Sequence, residues 1–200
     1  STDYTKAIEQ TVDNGYIIAG YSLSGIFGDK TEPSWGSFDF WVLKLDEFGN
    51  ILWQNSIGGS ALDALRDLDI TTDGGYIIAG YSSSGISGDK TEPFYDGAYS
   101  DADYWILKLN PLGNIEWQNT IGGFSGDVGS SIEQTADFGY IIGGHSNSYL
   151  SADKTDPGNG AYDYWIIKLE PDCSLIPEIC NTLDDNCNGL IDDDINYEIN

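Results

Sequence analysis

The chain has 200 residues, with 33 acidic against 8 basic side chains, a formal net charge of −25 and 40% hydrophobic residues. That charge excludes nucleic acid and anionic membrane as partners, because both require a cationic surface. No apolar run approaches the roughly 18–20 residues that span a bilayer, while the apolar and aromatic content is enough to bury a core.

An internal repeat organises the chain. The block GYIIAGYS starts at Gly15 and again at Gly75, and returns as GYIIGGHS at Gly139. A second block starts at Asp39 (DFWVLKLDEFGNILWQNSIGG) and at Asp103 (DYWILKLNPLGNIEWQNTIGG). It is cut short at Asp163 (DYWIIKLEPD), and the NIxWQ segment has no counterpart after Glu170. Asp3, Asp63 and Asp127 align, as do Asp29, Asp89 and Asp153 within DK(T) tripeptides. Repeat boundaries fall at 1–60, 61–124 and 125–171, followed by an appendage at 172–200.

Each repeat predicts four strands. In chain order these are KAIEQT (or RDLDIT, SSIEQT), YIIAGYS, FWVLKL and NILWQNSI. FWVLKL alternates, with Trp41, Leu43 and Leu45 on one side and Val42 and Lys44 on the other. Gly-Asn in DEFGN and NPLGN supplies the positive φ of a tight hairpin. ALDALRDLDI comes nearest to a helical period, but its aligned partners are not helix-like. Four antiparallel strands per roughly 60 residues is the unit of a β-propeller blade, so the expected fold class is all-β and propeller-like. Three blades do not close a ring. An upstream continuation, association of copies, or an open solenoid-like stack remain as alternatives. The tryptophans Trp41, Trp105, Trp165, Trp53 and Trp117 are expected to pack between neighbouring blades.

All eight cations fall at three repeat positions: Lys30, Lys90, Lys154; Lys44, Lys108, Lys168; and Lys6, Arg66. Structural ion pairing with the abundant carboxylates is the expectation for all three sets. The lone His145 takes the place of Tyr21 and Tyr81 and is expected to be structural. Long loops between the GYS and DYW blocks carry Trp35, Phe94, Tyr95 and Tyr99, and loops on a rigid scaffold are where binding resides. Asp29, Asp39 and their equivalents are candidate cation ligands there. No nucleophile with the G-x-S-x-G spacing is present.

The appendage holds all three cysteines, Cys173, Cys180 and Cys187. Asp184, Asn186 and Asn188 occupy positions 1, 3 and 5 of a D-x-[DN]-x-[DN]-G loop. Gly189 gives the bend, and the Leu190 carbonyl and Asp192 follow at positions 7 and 9. Oxygen donors at this spacing suit Ca²⁺. Position 12 is Ile195 where an EF-hand has Glu, and Asp193 or Asp194 stands in. Cys180 and Cys187 read as a local disulfide of an oxidising compartment, with Cys173–Cys180 as the alternative pairing.

Residues 1–170 resemble the tandem blade repeats of large secreted surface proteins of the Bacteroidetes. That likeness implies a propeller-like fold, type IX export and a place at the cell surface. Residues 178–194 resemble the short motif named after the copper-binding outer-surface protein of methanotrophs, through Cys180, Asp184, Asp185, Asn186, Cys187, Asn188, Gly189 and Asp192. The donors present favour Ca²⁺ over copper. The expectation for function is a non-enzymatic extracellular scaffold or adhesion protein, whose partner is a surface glycan, another protein or copies of itself. A polysaccharide hydrolase or lyase and a copper-binding surface protein are the alternatives.

Overall fold

The computed structural model describes residues 2–95 and 101–171. Eleven strands form three antiparallel sheets among them. The first sheet holds β1 (Asp3–Gln10), β2 (Tyr16–Ser22), β3 (Asp39–Leu45) and β4 (Ile51–Ile57). The second holds β5 (Asp63–Ile70), β6 (Tyr76–Ser82), β7 (Asp103–Leu109) and β8 (Ile115–Ile121). The third holds β9 (Asp127–Gln134), β10 (Tyr140–Ser146) and β11 (Asp163–Leu169). Each sheet is a meander in which sequential strands are neighbours. The segment with the nearest approach to a helical period forms β5. Its first residues bury Asp63, Ala64 and Leu65, and tertiary burial decides the outcome.

The propeller expectation is corrected by this architecture: none of the three sheets closes into a ring or barrel. They form an open stack, with β5 packed on β1, β2 and β3, and β9 packed on β5, β6 and β7. Closure would need the outer face of the third sheet to meet that of the first. Both faces are open instead. Tyr164 is 94% exposed and Ile166 67%, while Ile8 on the first sheet is 61% exposed.

The stack is built head to tail, with one face of each sheet meeting the opposite face of the next. Between the first two sheets, Ile17, Ala19, Phe40 and Val42 meet Tyr76, Ile78, Trp105 and Leu107. Between the second and third, Ile77, Ala79, Tyr104 and Ile106 meet Tyr140 and Ile142, with Trp165 and Ile167 packed against them. The aromatic contacts repeat as well. Phe40–Trp105 and Trp53–Tyr76 at the first junction lie at 4.9 and 5.9 Å. Tyr104–Trp165 and Trp117–Tyr140 at the second lie at 5.2 and 5.6 Å. Trp41 is the exception among the repeated tryptophans, because it lies half-buried on the outer face of the first sheet. Sandwiched on both sides, β7 is buried along its whole length.

One backbone irregularity recurs. The first two strands of every sheet shift register at one site, skipping Lys6, Arg66 and Ser130. This bulge brings the two backbones close opposite Gly20, Gly80 and Gly144. A Cβ at Gly80 would collide with the Ala64 carbonyl, which explains the glycine in IIAGYS and IIGGHS. The skipped cations project outward. The Lys6 ammonium lies 5.4 Å from the Tyr21 ring centroid, and the Arg66 guanidinium 5.1 Å from that of Tyr81.

Truncating Trp105→Ala removes a fully buried ring from the first junction. The expected loss is about 3–5 kcal/mol in urea unfolding, against less than about 0.5 kcal/mol for Leu112→Ala in an exposed turn. Equal effects of the two substitutions would refute the assigned core.

Candidate functional site

The polar groups of the molecule gather where each sheet is linked to the next. Four aspartates there have no solvent exposure: Asp39, Asp63, Asp103 and Asp127. Each opens a strand, and they meet in pairs across the junctions, Asp39 with Asp63 and Asp103 with Asp127. Backbone bonds stitch the same places. The Asp63 N–H donates to the Phe38 carbonyl at 2.7 Å, and the Asp127 N–H to the Ala102 carbonyl at 2.6 Å.

Hydroxyl groups from the S-x-S tail of each second strand complete the arrangement. Ser82 and Ser84 both donate to the Asp63 carboxylate, Ser84 at 2.9 Å, and Ser148 donates to Asp127 at 2.9 Å. The first sheet has the same set, with Ser22 and Ser24 donating to Asp3 at 2.5 and 2.7 Å. The linker then lays its amides on these groups. Gly59 donates to Asp63 at 2.6 Å and Ala61 to the Ser84 hydroxyl at 2.9 Å. Gly123 and Ser125 repeat this on Asp127 and Ser148 at 2.7 and 3.0 Å. Asp89 and Asp153 add a reciprocal pair of backbone and side-chain bonds to Gly58 and Gly122. The aligned aspartates are visible in the sequence, whereas the serines paired with them carry a weaker signal. Their signal is the recurrence of S-x-S at 22–24, 82–84 and 146–148.

Asp39 and Asp103 are less well served. Each takes one backbone N–H on Oδ2, from Trp35 at 2.6 Å and Tyr95 at 2.5 Å. Their Oδ1 atoms and that of Asp127 are buried without a hydrogen-bond partner. Burial, with the facing Asp63 charge adding to it, pushes Asp39 up to about 6. Burial, with the charge of Asp127 adding to it, pushes Asp103 up to about 7. Asp63 and Asp127 are raised by burial too, against the pull of their hydroxyl and amide donors.

The cations divide into three environments rather than the single one expected. Lys44, Lys108 and Lys168 form ion pairs with Asp13, Asp73 and Asp137 at 2.8, 2.8 and 2.9 Å, tying the third strand to the turn between the first two. Lys108 also pairs with Glu116 at 3.0 Å. Hydrogen bonds from Lys44 and Thr11 hold Asp13 well below the usual carboxylate range. Thr135 and Lys168 bring Asp137 down to about 2. The second set, Lys30, Lys90 and Lys154, is buried. These lysines make no ion pair within 4 Å among the described residues. Lys30 donates to the Glu32 carbonyl at 2.8 Å and the Ser56 hydroxyl at 2.9 Å. Lys90 donates to the Thr120 hydroxyl and lies 5.1 Å from the Trp105 ring centroid. Burial lowers Lys90 to about 8, against the pull of Asp63 and Glu92. The third set is the Lys6 and Arg66 pair stacked on tyrosines.

His145 stacks edge-on against Tyr162 at 5.4 Å and has no carboxylate partner among the described residues. Of the loop aromatics, Trp35 is 56% exposed, Phe94 and Tyr95 are half-buried, and Tyr99 lies outside the described residues. Asp29 is exposed and uses its carbonyl to accept from Gln54 at 2.7 Å, while Asp39 is fully buried. No group of three or more His, Cys, Asp or Glu side chains among the described residues is arranged to hold a metal ion. The Ca²⁺-loop residues Asp184, Asn186, Asn188, Leu190, Asp192 and Asp193 lie outside the described residues, as do Cys173, Cys180 and Cys187. The Cys180–Cys187 disulfide therefore has no support in the structure.

No protein-family model matches the chain, and no curated protein matches it. The resemblance to secreted Bacteroidetes blade repeats, with its type IX export, and the resemblance to the copper motif are both corrected by this outcome. What stands is an all-β arrangement of three antiparallel sheets among the described residues. No helix among the described residues is long and apolar enough to cross a membrane.

The raised aspartates fix a pH dependence. A carboxyl whose folded pKa is raised keeps its proton in the fold after the unfolded chain has lost it, so its penalty grows between about pH 4 and 7. The thermal midpoint should therefore climb as pH falls from 8 to 5. Below about pH 4 the stabilising pairs of Asp13, Asp73 and Asp137 are lost instead. Asp103→Asn should raise the midpoint at pH 8 by roughly 2–6 °C and flatten the slope. An unchanged slope in differential scanning calorimetry would refute the assignment.

Proposed function

We propose that this chain is a non-enzymatic structural and adhesive scaffold that works outside the cell. One observation supports the reading above others. The aspartates that face each other at the sheet junctions are wholly buried, recur at both junctions, and are tied to the amides of the linkers. A glycosidase needs its two carboxyls on either side of a bond in an open cleft. Asp39, Asp63, Asp103 and Asp127 have no access to a substrate and act as fasteners between layers.

The partners that suit this surface are a glycan, another protein or further copies of the chain. Self-association has a specific basis in the end faces. Tyr164 and Ile166 repeat the positions of Tyr104 and Ile106, which are fully buried against the next sheet. The acidic appendage, from Asp184 to Asp193, serves in this reading as a loop ordered by Ca²⁺.

The expected result on a polysaccharide panel is binding without depolymerisation, in Ca²⁺ and in EDTA alike. The thermal midpoint should rise with added Ca²⁺ in the native chain and not in Asp184→Ala. Chain cleavage of any glycan, abolished by substituting one loop carboxylate, would favour the hydrolase or lyase reading. Tight copper binding that excess Ca²⁺ fails to displace would favour the copper reading.

A further inference from the structure

Among the described residues the third sheet has three strands where the other two have four, and the NIxWQ sequence does not recur after Glu170. Among the described residues β11 pairs only with β10, whereas β3 and β7 each carry a further partner in β4 and β8. An open strand edge is a row of unpaired amides and carbonyls, and extended segments add to such edges.

The two complete sheets show what the position holds. In the second, the Trp105 indole N–H and the Thr91 amide both donate to Gln118 Oε1 at 3.1 Å, and Gln118 Nε2 donates to the Asp89 carbonyl at 2.9 Å. The Thr120 amide donates to Glu92 Oε2 at 2.6 Å, and the Lys90 ammonium donates to the Thr120 hydroxyl. The first sheet repeats every bond. Trp41 and Thr31 donate to Gln54 at 3.1 and 3.3 Å, and Gln54 to the Asp29 carbonyl at 2.7 Å. The Ser56 amide donates to Glu32 at 2.8 Å, and Lys30 to the Ser56 hydroxyl at 2.9 Å.

The third sheet presents the same receptor groups. Trp165, Thr155, the Asp153 carbonyl, Asp156 and Lys154 stand at the corresponding positions. The tight Ser151–Lys154 bridge repeats Ser87–Lys90, and the Lys154 ammonium lies 5.3 Å from the Trp165 centroid, as Lys90 lies from Trp105. Lys154 is 5% exposed, and its ammonium donates no hydrogen bond to any described residue. Two cavities run along the track. One of about 640 Å³ lies between Thr120 and Ile121 of β8 and Trp165 to Ile167 of β11. Another of about 270 Å³ lies beside Trp117, Asn119 and Leu169. At the first junction the place equivalent to the smaller cavity is filled by the β7–β8 turn. There Asn55 donates to the Gly113 carbonyl, and a Cβ at Gly113 would meet the Trp53 ring at 2.8 Å.

We propose that β11 and Lys154 form an acceptor for a β-strand supplied in trans, with the repeat's own Ile-x-Trp-Gln-Asn-Thr/Ser-Ile chemistry. Gln is required because only an amide can accept from Trp165 and Thr155 while donating to the Asp153 carbonyl. The Ser/Thr hydroxyl is required for the Lys154 ammonium. The chain's own continuation does not offer these groups. At the positions of Trp117, Gln118 and Thr120 it has Pro177, Glu178 and Cys180. Glu178 has no amide hydrogen for the Asp153 carbonyl, and Pro177 has no backbone N–H.

The test uses the full 200-residue chain and a labelled peptide, NIEWQNTIGG, which is residues 114–123, followed by fluorescence anisotropy. The expected result is saturable one-to-one binding, with none for a scrambled peptide. Peptide carrying Gln118→Ala should bind at least tenfold more weakly, and so should native peptide on Lys154→Ala or Trp165→Phe chain. Lys6→Ala, on the first sheet beside Tyr21, should leave binding unchanged. Absence of saturable binding would overturn the proposal, including the case in which residues 172–200 already fill the edge. Binding indifferent to Gln118→Ala and Lys154→Ala would overturn it as well.

Discussion

A four-stranded sheet with apolar side chains on both faces is stabilised by each neighbouring sheet that covers one of them. β7 shows the consequence, for its alternating residues are split between two cores. Trp105, Leu107 and Leu109 go to one side, Tyr104 and Ile106 to the other, and all are buried. At about 25 cal/mol per Å² of apolar surface, such double burial is the main term favouring the fold. The same rule accounts for the half-buried Trp41 at one end of the stack and the exposed Tyr164 at the other. Their counterparts within the stack have a neighbouring sheet, and they do not.

Polar chemistry serves this layering. The linkers from sheet to sheet must leave one layer and enter the next without abandoning their amides. The S-x-S hydroxyls and the strand-opening aspartates receive them. Those carboxylates must then be buried, and Asp39 and Asp103 sit close to their titration at neutral pH as a result. Lysines are used in the same economy. One set ties third strands to turns by ion pairs, while in another Lys30 and Lys90 hold a hydroxyl of the fourth strand, and Lys90 and Lys154 lie against tryptophan rings.

Much of this was legible because the repeat supplied three readings of each element. Strand order, the Gly49 and Gly113 hairpins and the inter-sheet tryptophans follow from alternation and turn chemistry alone. Ring closure was not legible, because it depends on whether end faces meet, and no local pattern encodes that. Lys30, Lys90 and Lys154 were expected beside carboxylates, yet hydroxyls, carbonyls and aromatic faces receive them. Charge counting could not reveal this, since with 33 acidic residues every lysine has some carboxylate nearby in sequence. The bulge at Lys6, Arg66 and Ser130 was hidden as well. Its only trace is the glycine across from it in the neighbouring strand.

The central claim is that each sheet is stable only against its neighbours. It is tested most directly by the middle repeat alone, residues 61–124, followed by circular dichroism through a thermal scan. The account predicts no cooperative transition, because both faces of β7 are then in water. A cooperative transition within a few degrees of that of the whole chain would contradict it.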